Sequence, residues 1–260
     1  MSLRLRQIAL VAQELESAER VLADVFSLEV CYRDPAVGEF GLENCLFPIG
    51  NQFLEVVAPI EKNTHAGRFL ERRKGEGGYM VITQCRNHQE YKERVNTLGV
   101  RIAHQFSIEN FVNMQLHPRD TGGSFFEIDQ QLPTSGEETD PWAPAGAHWR
   151  DYVNTERAIA IASVEMQCDD PQSVADRWGK IAGIKVENNN SVSMPQISLE
   201  NATLKFCECD DGRPEGLSGV EIVVNDEEQV LSAAAKNGAE FSEGYFLLNG
   251  IRWSLRKLNA

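Results

Sequence analysis

The run His117-Pro118-Arg119-Asp120-Thr121-Gly122-Gly123-Ser124-Phe125-Phe126-Glu127-Ile128-Asp129 carries a polar strand end through a tight Gly-Gly turn into a second strand. Side chains alternate along a strand, so Phe125, Glu127 and Asp129 share one face, while Phe126 and Ile128 share the other. Glu127 stands between aromatic residues, which places it in a concave, partly dry setting. A carboxylate there needs a cation, a hydrogen-bond donor or a proton. The plainer alternative is the wet face of a half-buried sheet. The segments before and after this strand weigh between the two.

Upstream, residues 79–85 read as a strand and residues 88–98 as a helix with Tyr91, Val95 and Leu98 inward, stopped by Gly99. Residues 100–106, 110–117 and 124–129 then give three strands. Glu127 therefore closes a unit of strand, helix and three strands. The same plan occurs at the N-terminus: strand 4–12, helix 14–26, and strands 28–33, 38–48 and 52–58. Leu15, Ala18, Val21, Leu22 and Val25 form the inward stripe of that helix. A third pass has strand 159–168, a helix start at Asp169-Asp170-Pro171, helix 173–182 ended by Gly183, and strands 184–187, 196–199 and 203–207. A fourth has strand 219–224, helix 227–237, and strands 240–241, 245–248 and 251–255.

Four βαβββ units outweigh any single-residue clue, because repeats decide architecture. The fold expected is α+β, with the units paired into two tandem half-barrel domains. Residues 132–146, with Pro133, Pro141, Pro144 and an acidic run, have linker chemistry. The division is then residues 1–132 as the first domain, 133–157 as a Pro-rich linker and 158–260 as the second. Residues 148–152 read as an aromatic lid or docking segment.

The 260 residues are 42% hydrophobic and 25% charged, ordinary globular composition and enough to bury a core. A net charge of −14 repels nucleic acid, so no nucleic-acid partner is expected. No apolar run approaches the roughly 18 residues of a membrane span, and no signal-peptide pattern is present. A cytoplasmic, membrane-free protein, monomer or homodimer, is the default. The six cysteines are scattered, and only Cys207 and Cys209 lie close, so buried reduced thiols are expected rather than a structural zinc site. There is no phosphate loop, dinucleotide Gly pattern or Gly-x-Ser-x-Gly elbow.

Several stretches resemble one family. Gln7-Ile8-Ala9-Leu10-Val11-Ala12, Phe53-Leu54-Glu55-Val56-Val57-Ala58-Pro59, Ala66-Gly67-Arg68-Phe69-Leu70, Gly77-Gly78-Tyr79-Met80 and the run 116–128 are similar to the vicinal oxygen chelate superfamily. Its members include glyoxalase I, methylmalonyl-CoA epimerase and the extradiol dioxygenases. The resemblance covers residues 1–132 well, in glyoxalase-like and epimerase-like form. Residues 158–260 keep the topology with weak motif content, as a degenerate copy. There Trp178, Phe246 and Trp253 fit a packed core, and Glu208 and Glu221 fit wet faces.

In that superfamily two units form a cup around one divalent metal. The resemblance implies Gln7, Glu55 and Glu127 as metal ligands, with Met80 where the family carries a His. Oxygen donors of this kind suit Mg²⁺, Mn²⁺ or Ni²⁺, and Zn²⁺ less well, while a thioether adds little. His117 is a candidate substitute ligand, or a histidine that fixes the turn. Glu127 and Glu55 are the candidate catalytic bases. Tyr79, Met80 and Phe125, with His117, line the expected ligand site. Arg119, Arg68 and Arg72 are the available cations for an anionic substrate, against a plainer reading of 68–73 as a solvated helix face. Two functions follow: a metal-assisted isomerase, lyase or epimerase acting on a small oxygen-rich anionic substrate, or a metal-free protein that sequesters a small ligand.

Overall fold

A computed structural model describes residues 2–133, 141–188 and 194–258. In chain order the strands and helices are β1 (Leu3–Val11), α1 (Leu15–Phe26), β2 (Leu42–Ile49), β3 (Gln52–Pro59), α2 (His65–Arg73), β4 (Gly77–Cys85), α3 (His88–Thr97), β5 (Ile102–Ile108), β6 (Phe111–Leu116) and β7 (Phe125–Gln131). There follow β8 (Ala158–Cys168), α4 (Pro171–Ala182), β9 (Glu187–Asn188), β10 (Pro195–Ser198), β11 (Thr203–Glu208), β12 (Gly216–Val224), α5 (Glu227–Lys236), β13 (Glu240–Ser242), β14 (Tyr245–Leu248) and β15 (Ile251–Lys257). The described strands form two sheets, and the α+β repeat read from the sequence is the architecture observed.

The chain divides into two compact units. The first holds Met1–Arg6, Tyr79–Ala143 and Ser163–Leu217; the second holds Gln7–Gly78, Pro144–Ala162 and Ser218–Ala260. In the first unit β7 lies between β4, its parallel neighbour, and β6, its antiparallel one. β5 then pairs with β6. Phe126 and Ile128 are fully buried on the face of β7 opposite Glu127. Phe126 stacks on Trp178 of α4 with ring centroids 4.1 Å apart, and Trp178 meets Phe206 of β11 edge-on at 5.8 Å. The indole N–H of Trp178 donates to the Thr121 carbonyl at 3.0 Å, so the helix also grips the turn that precedes β7. The start and end of α4 follow the sequence signals. Asp170 accepts from the Ser173 N–H at 3.0 Å, Pro171 occupies the first turn, and Gly183 ends the helix at φ 69°.

The Gly-Gly turn has a steric reason. Gly122 and Gly123 both take left-handed φ values, 69° and 86°. A Cβ on Gly123 would also lie 2.3 Å from the Glu215 carbonyl oxygen.

In the second unit β3 lies between β1, in parallel, and β2, antiparallel. β12 pairs with β15, and β14 lies between β15 and β13. Phe26 at the end of α1 packs on Trp253 at 4.8 Å and on Phe246 at 6.4 Å, and all three are fully buried.

Two local expectations fail. Residues 28–33 do not form a strand; only an isolated bridge joins Tyr32 to Leu46. The next segment is a 3₁₀ helix at Pro35–Phe40 rather than strand. Pro35 presets a helical φ, the Asp34 carboxylate accepts from the Ala36 N–H at 2.9 Å, and Gly41 ends the turn at φ 68°. Of the two readings of residues 148–152, the docking one fits, because Trp149 is fully buried edge-on against Phe53 at 5.0 Å. Residues 134–140 of the expected linker lie outside the described residues.

Trp178 thus anchors the strand that carries Glu127. Trp178→Ala is expected to lower the unfolding free energy by about 3–5 kcal/mol, as large-to-small substitutions in aromatic cores do. Urea unfolding checks this; a loss under about 1 kcal/mol would mean that the stack carries little of the stability.

Candidate functional site

In the second unit the site centres on Glu55. Cross-strand register sets Ala9 of β1 and Leu46 of β2 on either side of it. Gln7 and Asn44, two residues along those strands, share its face. The Gln7 amide donates to Glu55 Oε2 at 2.9 Å, and the Asn44 amide donates to Oε1 at 2.7 Å. Asn44 is itself oriented, since its Oδ1 accepts from the Asp34 N–H at 2.8 Å and its NH₂ must therefore face Glu55. Glu55 is only 8% exposed, and these two donors compensate the burial of its charge.

In the first unit two rows of side chains cross the sheet. One runs His104, Gln115, Glu127, Ile82 by strand register. The Gln115 amide nitrogen donates to Glu127 Oε2 at 2.7 Å and also reaches Met80 Sδ at 3.5 Å. The second row holds Phe106 and Asn113, paired across β5 and β6, then Asp129 and Gln84, paired across β7 and β4. Asn113 joins these two pairs by donating to Asp129 Oδ1 at 3.0 Å, and the Met114 N–H approaches the same oxygen at 3.3 Å.

Glu127 is 6% exposed and Asp129 is fully buried. Burial pushes both carboxyls above the ordinary range, Asp129 furthest because the adjacent Glu127 charge adds to its burial. Hydrogen bonds from Asp129 and Gln115 pull Glu127 partly back. Holding a proton on Asp129 removes one of two adjacent buried charges and occupies its Oδ2, which otherwise lacks a donor.

The strand alternation put Asp129 on the Glu127 face but assigned it no role. Two carboxylates at i and i+2 in a strand with buried neighbours were the available signal. Asn113 and Gln115 alternate with apolar residues along β6, but their bonds to the carboxyls follow only from the β6–β7 register.

The remaining expected residues fall as follows. Tyr79 is buried and meets the half-buried Phe125 edge-on at 5.1 Å. Met80 is half-buried beside Gln115. His117 Nδ1 accepts from the Arg119 N–H at 3.2 Å, so the histidine fixes the turn. Arg119 is exposed, and its neighbour Asp120 is held at a pKa of about 2 by the Arg101 guanidinium. Arg68 is exposed and donates to the Asn63 carbonyl. Arg72 is exposed over the Phe69 ring. Arg73 is buried instead, against Phe69 and in the space left by Gly77, where a Cβ would lie 2.4 Å from its Nε. Segment 68–73 is therefore not wholly a solvated face. Gln7 and Glu55 come together in one unit; Glu127, Met80, Gln115, Asn113 and Asp129 come together in the other.

The donor set does not fit a resident metal ion. Among the described residues no group of three or more His, Cys, Asp or Glu side chains is placed to hold one. The amides of Gln7, Asn44 and Gln115 turn N–H groups toward the carboxylates, where a ligand amide would turn its oxygen toward an ion. Five of the six thiols, those of Cys31, Cys45, Cys85, Cys168 and Cys209, are pushed toward the protonated form by burial. Burial pushes Cys31 and Cys85 up to about 12 and Cys209 up to about 11. No described helix is long and apolar enough to cross a membrane.

Residues 8–182 match the model of a family described as a glyoxalase-like domain. The human mitochondrial methylmalonyl-CoA epimerase is 22% identical over 132 residues, which is 49% of this chain and 73% of that one. A hypothetical protein from Staphylococcus aureus superposes with a TM-score of 0.68 at 12% identity, covering 99% of this chain and 100% of that one. A substituted 4-hydroxymandelate synthase from Streptomyces coelicolor gives 0.70 at 13% identity, over 98% and 92%. These two structural likenesses concern the fold.

The carboxyl pair has a consequence for stability. Because its folded pKa values stand above the unfolded ones, the folded state holds more protons in that window. Stability then falls as pH rises through it, by up to about 1.4 kcal/mol per pH unit for one proton. Asp129→Asn is expected to flatten that slope and raise stability at alkaline pH relative to the parent. Identical slopes for the two proteins in urea unfolding across this range would show that Asp129 takes up no extra proton on folding.

Proposed function

The chain belongs to the glyoxalase-like domain family, and on that premise we propose that it moves a proton at a carbon next to a carbonyl group, as an isomerase or epimerase of a small, oxygen-rich, anionic substrate. One observation carries the reading: Glu127 is a buried carboxyl of raised proton affinity, fixed by Gln115 and backed by Asp129. A base of that kind is poised closer to neutral pH than an exposed glutamate, which favours both taking and returning a proton. The epimerase named among the relatives supports the reaction class.

The roles assigned are these. Glu127 removes and returns the proton. Asp129 keeps the charge on Glu127 compensated while it does so. The half-buried Phe125 and Met80 give the apolar wall that keeps water from quenching the carbanionic intermediate. Arg119, exposed on the turn before β7, receives an anionic group of the substrate. Glu55 is the weaker candidate base, because both of its oxygens already accept amide hydrogens. No step here runs through a metal ion, since the donor set does not fit one. The domain division at 1–132, 133–157 and 158–260 is kept as part of this proposal, with the first domain carrying the chemistry.

The same saturation of Glu55 favours a second reading, in which the cup holds a small ligand without turning it over. One experiment separates the two. Short 3-oxo acids and 2-substituted malonyl thioesters are incubated with the protein in D₂O, and loss of the α-proton signal is followed by NMR. Exchange above the buffer rate, reduced at least about 100-fold by Glu127→Gln, is the expected result, the size associated with losing a general base. No exchange with any compound, or exchange unaffected by the substitution, overturns the enzyme reading. A compound that raises the melting temperature without exchange supports the binding one.

A further inference from the structure

We infer that the amide of Gln115 stands in this chain between the positions where the family would seat its ion, and that these positions are built to hold an amide in place of a divalent metal. The inference rests on the site reading above for the place of Glu127, and it goes beyond that reading in saying what holds Glu127 there.

By the residue match, Met80 and Glu127 occupy the third and fourth ligand positions of the metal-binding relatives. In the structure one nitrogen touches both. Gln115 Nε2 lies 2.7 Å from Glu127 Oε2 and 3.5 Å from Met80 Sδ. An NH₂ group has two hydrogens, so it can give one to the carboxylate and one to the thioether. The reverse orientation would set the amide oxygen against the carboxylate oxygen, a repulsive contact. The chemistry therefore assigns nitrogen to that place.

The side chains agree with one another in this arrangement. A thioether is a poor ligand for a hard divalent ion but a serviceable acceptor for an N–H. A His at position 80 could not be bridged in the same way by an amide donor while also facing an ion. Register makes the arrangement specific: Gln115 is the direct cross-strand neighbour of Glu127, and Met80 stands opposite Phe125, two residues before Glu127 on the same face. Glu55 repeats the pattern independently in the second unit, with amide N–H groups from Gln7 and Asn44 on its two oxygens. Each of the carboxylates that the resemblance assigns to metal is thus bound by an uncharged donor. Buried hydrogen bonds to an ionised carboxylate are strong enough to serve in place of a cation as a positioning device.

The test reads metal binding directly. Mn²⁺ and Ni²⁺ are titrated calorimetrically into the full chain, into Gln115→Ala, Met80→His and the double variant, with circular dichroism melts to confirm folding. Gln115→Met serves as the volume-matched variant if Gln115→Ala melts early. The parent and Gln115→Ala are expected to show no saturable binding up to about 1 mM. Met80→His should bind, and the double variant should bind at least about tenfold tighter, because the ion no longer has to displace the amide. Adding Glu127→Gln to the double variant should abolish binding. Stoichiometric binding by the parent that Glu127→Gln removes would overturn the inference. So would equal affinity with and without the amide, or no binding by Met80→His in either background. These outcomes stand apart from proton exchange: a protein that exchanges nothing sinks the proposed function and leaves the titration decisive for the amide.

Discussion

Buried carboxylates dominate the physics of this protein. Taking an ionised carboxylate out of water costs several kcal/mol unless donors, a cation or a proton replace the lost hydration. Three such groups, Glu55, Glu127 and Asp129, lie on sheet faces with 8% exposure or less. Amides meet all three, from Gln7 and Asn44 on Glu55, Gln115 on Glu127 and Asn113 on Asp129. Each amide stands on a strand beside the carboxylate that it serves. The network therefore exists only while the strand register exists, and a one-residue slip would turn every member to the opposite face.

That dependence gives the opposite faces of the sheets their importance. Phe126 and Ile128 alternate with Glu127 and Asp129 along β7, and their burial holds the strand in register. The stack of Trp178 on Phe126 and the indole bond to Thr121 fasten the strand and its entry turn to a single helix. In the second unit Phe26, Phe246 and Trp253 make a comparable aromatic core. Apolar packing thus positions the polar chemistry, and the price of a polar face is met by a dry one behind it.

The repeat was legible because periodicity is local. Alternation over a few residues and helical spacing over a dozen need no knowledge of the rest of the chain, and helix-start signals such as Asp170-Pro171 act within one turn. The fold class followed from them, and the family from the resemblance of particular motif stretches. The failures were also local in cause. Residues 28–33 looked like a strand by composition, but Asp34 and Pro35 set a capped 3₁₀ turn, leaving one bridge at Tyr32. Residues 148–152 could be read as a lid or a docking segment, and only the contact of Trp149 with Phe53, far away in sequence, decided for docking. Of the two readings of His117, the turn-fixing one has a contact behind it, because its Nδ1 accepts from the Arg119 N–H.

The sequence by itself determined the repeat, the α+β architecture and the sidedness of Glu127 and Asp129, because all of these depend on residue type and local spacing; that Met80 stands at the position of a His was implied by the family resemblance. Tertiary structure alone decided which groups answer those carboxyls. Gln115 and Glu127 are 12 positions apart, and Gln7 and Glu55 are 48 apart, so no local rule relates them. Cross-strand register supplied the contacts, and burial supplied the low-dielectric setting that makes an amide hydrogen bond decisive and raises the proton affinity of both Glu127 and Asp129.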